Sequence, residues 1–299
     1  MLFFNTLPMA LIALVLSLGI CIYAYVRDRK EKEPLWLLAS LFAVSAVVYV
    51  PIYYLGRRLI NTLFDQTFTA KVNPAIGLST WSSSSSELLH HLLCAFVGIA
   101  LLEEIVRWLI LYFFTQKSRH FDCTFDGVLY SVMVSMGAVF ASNLRYAFVD
   151  GWDQFFLRLL YSFPWYLLFG VVMGVFYTLW HTKRQANRTE NKLIREKKLS
   201  RDLLKYPFFT LIINWLAPIA LHTVYSYVFE QLQTRSPYLN LVFYGVAAMM
   251  MILCVVLIVV LSKRDRTKRE AIEEIIEKEH GDLPDEYYDE ADDKEADDQ

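Results

Sequence analysis

The sequence predicts an all-α, polytopic transmembrane helix bundle of about seven spans. Three observations carry that prediction. Of 299 residues, 56% are hydrophobic and only 20% charged, whereas soluble chains hold about 45–50% apolar residues even with glycine counted. Mean hydropathy is +0.33. The apolar residues gather in blocks of twenty or more, the length that crosses a hydrocarbon core of ~30 Å at ~1.5 Å per residue, and lipid leaves such blocks no conformation but the helix.

Taken in order, the first block, 7–26, lacks a basic leader and a small-residue cleavage site, so it is expected to stay as a span rather than be removed as a signal. The second is 35–55. Residues 56–87 then form a long loop with an amphipathic start (RRLINTLF) and a serine run, expected to lie at the interface and lead flexibly into the third block. Blocks three to seven are 88–114, 127–148, 155–180, 207–229 and 239–262. Four of the seven carry no charge; the third holds Glu103, Glu104 and Arg107, the fourth Arg145 and the fifth Arg158.

Orientation follows from the basic residues. Loops 27–34, 115–126, 181–206 and the segment after the last block hold 20 Lys and Arg, against 4 in the alternate loops. Basic loops stay in the cytoplasm, which places the N-terminus outside and the C-terminus inside. Residues 183–205 are expected to lie along the inner leaflet, drawn by anionic lipid. Beyond the bundle, 1–262, residues 263–299 are read as an acidic, disordered cytoplasmic tail, with fifteen Asp and Glu between Glu270 and Asp298 against two lysines.

Cys21, Cys94, Cys123 and Cys254 show neither disulfide nor zinc spacing. No phosphate-binding glycine loop, dinucleotide fingerprint or fixed-period repeat appears, and lipid accounts for the basic loop without nucleic acid.

Chemistry must then come from polar groups inside the spans, where they are costly and mark function by default. In LLEEIVRWLI, Arg107 is four residues from Glu103 and three from Glu104, so either carboxylate can pair with it on one helix face. The other can face the interior. Two carboxyls side by side in a low dielectric hold one proton more tightly than either alone, as a general base near neutral pH requires. His222 is the second intramembrane polar group. Neither of the nearest alternatives helps: His90 and His91 stand ~18–20 Å along the axis from Glu103, and His181 is at a span's end. One histidine and two diverging glutamates are a poor match to the three ligands of a catalytic zinc, so no metal or other cofactor is expected.

These residues resemble the PrsW-type intramembrane endopeptidases, relatives of the CAAX-processing glutamate-dependent membrane proteases. The resemblance rests on Tyr25, Asp28, Glu33 and Pro34 after the first span; on Glu103, Glu104, Arg107 and Trp108; on Asp126, Gly127, Tyr130, Gly137, Asn143 and Tyr146; on Gly170 and Gly174; and on Leu221 and His222. It implies peptide-bond hydrolysis within membrane proteins, with Glu103 or Glu104 activating water and His222 supporting the oxyanion or leaving amine. Arg107, Asn143 and Tyr166 would support them.

Three positions depart from the family pattern. Ser142 stands where a glutamate is usual, Tyr166 where a histidine is usual, and Ser226 where Asp or Asn is usual. Serine and tyrosine can donate to an oxyanion but do not replace imidazole in proton transfer. The resemblance therefore leaves a runner-up, a catalytically silent relative that binds partner membrane segments, and behind it an ion or proton pathway. The partner in either leading case is a membrane-protein helix, and the location a bacterial inner membrane.

Overall fold

The structure, a computed structural model, describes residues 2–63, 91–116, 118, 120–149, 151–199, 204, 208–233 and 237–281. Among them lie eight α-helices and one π-helical segment: α1 (Leu2–Arg27), α2 (Leu35–Leu63), the π segment Cys94–Leu101 running directly into α3 (Leu102–Thr115), α4 (Asp126–Val149), α5 (Gly151–Arg195), α6 (Phe208–Gln233), α7 (Pro237–Lys263) and α8 (Lys268–His280).

Six of these helices are long and apolar enough to cross a membrane. The seventh predicted span, the third in order, is the composite of the π segment and α3; its three charges and its divided hydrogen bonding set it apart from the others. The bundle has an inside and an outside. In α4 and α5, 89% and 78% of the apolar window is buried, against 22–33% in α1, α2, α6 and α7. The two central helices are walled by the other four, whose outward faces carry Val15, Val47, Leu241 and Met249, each two-thirds exposed or more. In a lipid solvent such exposure carries no penalty.

Small residues bring the central pair together. A methyl group on Gly174 would stand 2.5 Å from Val128 Cα, and one on Gly170 would stand 2.8 Å from Ser135 Oγ, so α4 and α5 touch at backbone distance. Gly137 does the same against the Phe42 carbonyl of α2, and Gly56 of α2 against the Gly98 carbonyl of the π segment.

Three expectations need correction. The basic stretch after residue 182 is no separate helix on the leaflet: it is the last part of α5, which runs 45 residues unbroken. The helix ends only where Lys197 takes a left-handed φ of 61° and the Lys198 N–H returns to Leu193 O at 2.9 Å. The tail, too, begins ordered. Thr267 and Glu270 form a reciprocal capping box that starts α8, and Ile272 and Ile276 pack on Ala186 and Leu193 of α5. His280 Nε2 lies 2.5 Å from Glu190 Oε1 at its far end. A composition dominated by acid hid two isoleucines a turn apart, enough for one amphipathic helix. Finally, α2 continues to Leu63, past the predicted end of its span. The remainder of the predicted loop and the serine run, 64–87, together with His90 and the tail beyond 281, lie outside the described residues.

At one end of the bundle, the loop before α4 is tied to the start of α8. The Thr124 amide donates to Arg266 O at 2.9 Å and the Lys268 amide to Asp122 O at 2.5 Å, while the Thr178 hydroxyl of α5 donates to Thr124 O at 3.2 Å.

Candidate active site

Glu103 and Glu104 open α3, directly after the π segment, and both are buried, as is Arg107 one turn later. The adjacent carboxylates leave the helix about 100° apart, yet the guanidinium spans them. Arg107 Nη2 lies 2.7 Å from Glu104 Oε1 and 3.4 Å from Glu103 Oε2. Cation–π contact steadies it, with Cζ 4.9 Å from the centre of the Tyr166 ring.

α6 brings His222 to the same point. Its Nδ1 lies 2.7 Å from Glu104 Oε1 and 3.2 Å from Arg107 Nη2, and its Nε2 lies 3.9 Å from Glu103 Oε2. Nδ1 cannot accept from the guanidinium and donate to the carboxylate at once; the shorter contact assigns its proton to the bond with Glu104. Phe169 of α5 stacks on the imidazole, centroids 4.6 Å apart and planes at 21°. A histidine read toward the end of its span and a glutamate read in the middle of another thus meet.

Tyr166, also from α5, donates its hydroxyl to Glu103 Oε2 at 2.9 Å. Glu103 and Arg107 also border a cavity of about 10 Å³ with Ser45, Tyr49 and Ala138, room for about one water molecule. Glu104 Oε2 is buried with no hydrogen-bond partner.

Of the other predicted supporting residues, Asn143 and Ser142 hydrogen-bond outside this cluster. Asn143 is turned away, donating to Val139 O at 2.9 Å and to Ser162 Oγ at 3.0 Å. Its expected place in one cavity with the glutamates is therefore corrected, because Ser162 of α5 satisfies its amide first. Ser142 accepts from Tyr49 at 3.0 Å and from Arg158 at 3.0 Å. Arg158 also stands over the Tyr146 ring at 3.4 Å, so the charge noted in the fifth span belongs to a second polar network. Ser226 is buried one turn beyond His222. Tyr49 and Phe169, which nothing in their sequence context singles out, are both needed to describe the site; an aromatic in an apolar span looks like any other until the fold shows what it touches.

Glu103, Glu104 and His222 do not fit a metal ion as arranged. Their ligand atoms do not close on one point: among the described residues the set of three that does is elsewhere. The position between carboxylates and imidazole, where a cation would gain most, is held by the Arg107 guanidinium.

That other set is Asp122, Cys123 and Asp126, whose ligand atoms lie within 4.8 Å of one another. Asp126 Oδ2 accepts the amides of Asp122 at 3.0 Å and Cys123 at 2.6 Å. Around them stand Asp28 and Glu33, both buried. Burial pushes the Asp28 carboxyl up to about 6 against the pull of Lys32, and the Glu33 carboxyl up to about 7 with Asp122 and Asp28 adding repulsion.

Compared with known proteins, residues 33–261 match the profile described as PrsW family intramembrane metalloprotease. The protein called Protease PrsW of Oceanobacillus iheyensis is 25% identical over 215 residues, 72% of this chain and 79% of that one. Its namesake in Bacillus subtilis is 26% identical over 69% of this chain and 86% of its own. In Geobacillus kaustophilus the identity is 30%, over 52% of this chain and 59% of the relative. No solved structure matches the chain significantly.

Proposed function

The chain belongs to the PrsW family of intramembrane proteases, and from that premise we propose that it hydrolyses peptide bonds of membrane proteins by glutamate-activated water, with Glu103 as the base. One observation carries the choice between the two glutamates. Glu103 borders the space that admits a water, and Glu104 is not among the residues lining it.

On this reading Glu103 takes a proton from the water, and the hydroxide adds to the scissile carbonyl carbon. Glu104 holds His222 by Nδ1 and turns Nε2 toward Glu103. When the C–N bond breaks, the proton passes from Glu103 to the departing amine, directly or across Nε2. The Tyr166 hydroxyl, 2.9 Å from Glu103 in the resting site, is the nearest donor to the oxyanion. Arg107 bridges the two carboxylates. No step is routed through a metal. The substrate is a helix of another membrane protein, and the location a bacterial inner membrane with the N-terminus outside. The silent-relative alternative draws nothing from the relatives described above, all named as proteases.

The test uses purified protein in lipid with a library of single-span peptides. Glutamine keeps the shape of Glu103 and removes its basicity, so Glu103→Gln should reduce cleavage by at least ~10²-fold. His222→Ala and Glu104→Gln should each lose cleavage through the disrupted pair. Full cleavage by Glu103→Gln would reject Glu103 as the base. Peptide binding with no cleavage by the native chain would reject the enzyme.

A further inference from the structure

Asp28, Glu33 and Asp126, all named among the family motif residues, take no part in the catalytic cluster. Asp28 and Glu33, from the loop between α1 and α2, and Asp126, the first residue of α4, meet at the loop end of the bundle beside Asp122. Along α5, Tyr166 at the catalytic cluster and Thr178 at this loop are separated by ~18 Å, so these are two places in the molecule.

What marks the second place is the number of carboxylate oxygens left without partners. Asp28 is 1% exposed, Asp126 0% and Glu33 4%. Both carboxylate oxygens of Asp28, Oε2 of Glu33, Oδ1 of Asp122 and Oδ1 of Asp126 are buried without a hydrogen-bond partner. Asp28, Glu33 and Asp122 all lie near enough to act electrostatically on Asp126.

Two nearby cations hydrogen-bond elsewhere. The Lys32 ammonium donates to the main-chain carbonyls of Tyr25 and Asp28, and the Lys30 ammonium pairs with Glu270 at 3.0 Å. Buried charges are otherwise paired or coordinated to metals.

We infer that Asp122 and Asp126, whose ligand atoms close on one point beside Cys123, bind one hard divalent cation, Mg²⁺ or Ca²⁺, at the loop end of the bundle, separate from catalysis, with the buried Asp28 and Glu33 near it. Carboxylate oxygens are the ligand chemistry of such ions. The site is also partly preset, since the amides of Asp122 and Cys123 fix Asp126 through Oδ2 and leave Oδ1 buried without a partner. The ion would join the loop after α1 to the start of α4.

Mn²⁺, a paramagnetic stand-in for Mg²⁺, is titrated into the full chain in nanodiscs of zwitterionic lipid and followed by electron paramagnetic resonance at a salt concentration that suppresses weak binding by the acidic tail. One saturable site per chain is expected, displaced by Mg²⁺ or Ca²⁺, weakened at least tenfold in Asp126→Asn and in Glu33→Gln and retained in Glu104→Gln. Absence of a saturable site, or a site indifferent to both loop-end variants, overturns the proposal. Loss in Glu104→Gln alone also overturns it, by placing the ion at the catalytic cluster, and so does preference for Zn²⁺ over both hard ions. Should either loop-end variant fail to fold, the native chain still decides: its melting temperature should rise with Mg²⁺ or Ca²⁺ over EDTA, and no rise with either ion overturns the site.

Discussion

Arg107 holds together three groups that would otherwise repel or stand alone. Replacing it with leucine leaves two buried carboxylates without their shared guanidinium, a loss on the scale of 3–5 kcal/mol; folded yield and melting temperature of Arg107→Leu in detergent should both fall sharply, and an unchanged melt would show that water already reaches the pair. Tyr166→Phe is gentler. It keeps the ring under the guanidinium and removes one hydrogen bond to a charged acceptor, about 1.5–3 kcal/mol, so the melt should fall less than for Arg107→Leu. At this scale the sequence was legible where charge stood out against an apolar background: Glu103, Glu104, Arg107 and His222 could be found because lipid makes each expensive. Asn143 and Ser142 could not be placed, because an amide or a hydroxyl takes whichever neighbour arrives first, and Ser162 and Tyr49 come from other helices.

The seam between α4 and α5 shows how helices rather than residues were encoded. Gly170 and Gly174 were readable as a small-residue pair, and their partners Ser135 and Val128 follow from it. A side chain at Gly174 meets backbone that cannot move aside, whereas Gly245 has nothing within 4 Å. Gly174→Ala should therefore destabilise by about 1–3 kcal/mol, while Gly245→Ala should be neutral or stabilising by up to about 1 kcal/mol; paired thermal melts check both. α8 was missed although its signature, Thr267 three residues before Glu270, lies in plain view. The composition of the whole tail outweighed a local cap. Thr267→Ala should cost about 1 kcal/mol, read as faster amide exchange across residues 268–280. The π segment left no mark in the sequence, since a widened helical turn uses the same apolar residues as an ordinary one.

For the molecule as a whole, apolar block length and the distribution of basic residues were enough for the class and the order of helices, and insufficient for which helices lie inside. Seven crossings, as the apolar blocks predict, would put the termini on opposite sides of the membrane. A fluorescent protein that folds only in the cytoplasm should light when fused to the C-terminus and stay dark at the N-terminus; the reverse pattern would invert the orientation. α5 has a mechanical consequence. Its 45 residues amount to ~68 Å of helix, more than twice a hydrocarbon core of ~30 Å, so its far end projects well outside the bilayer under α8. Pro164 removes a backbone hydrogen bond two residues before Tyr166 and is the natural fulcrum. The lever is then very unequal, with an arm of ~3 Å to Tyr166 and ~46 Å to Arg195. A swing of ~5 Å at the projecting end moves the tyrosine by only ~0.3 Å by that ratio, which leaves the reaction geometry deaf to jostling of the tail.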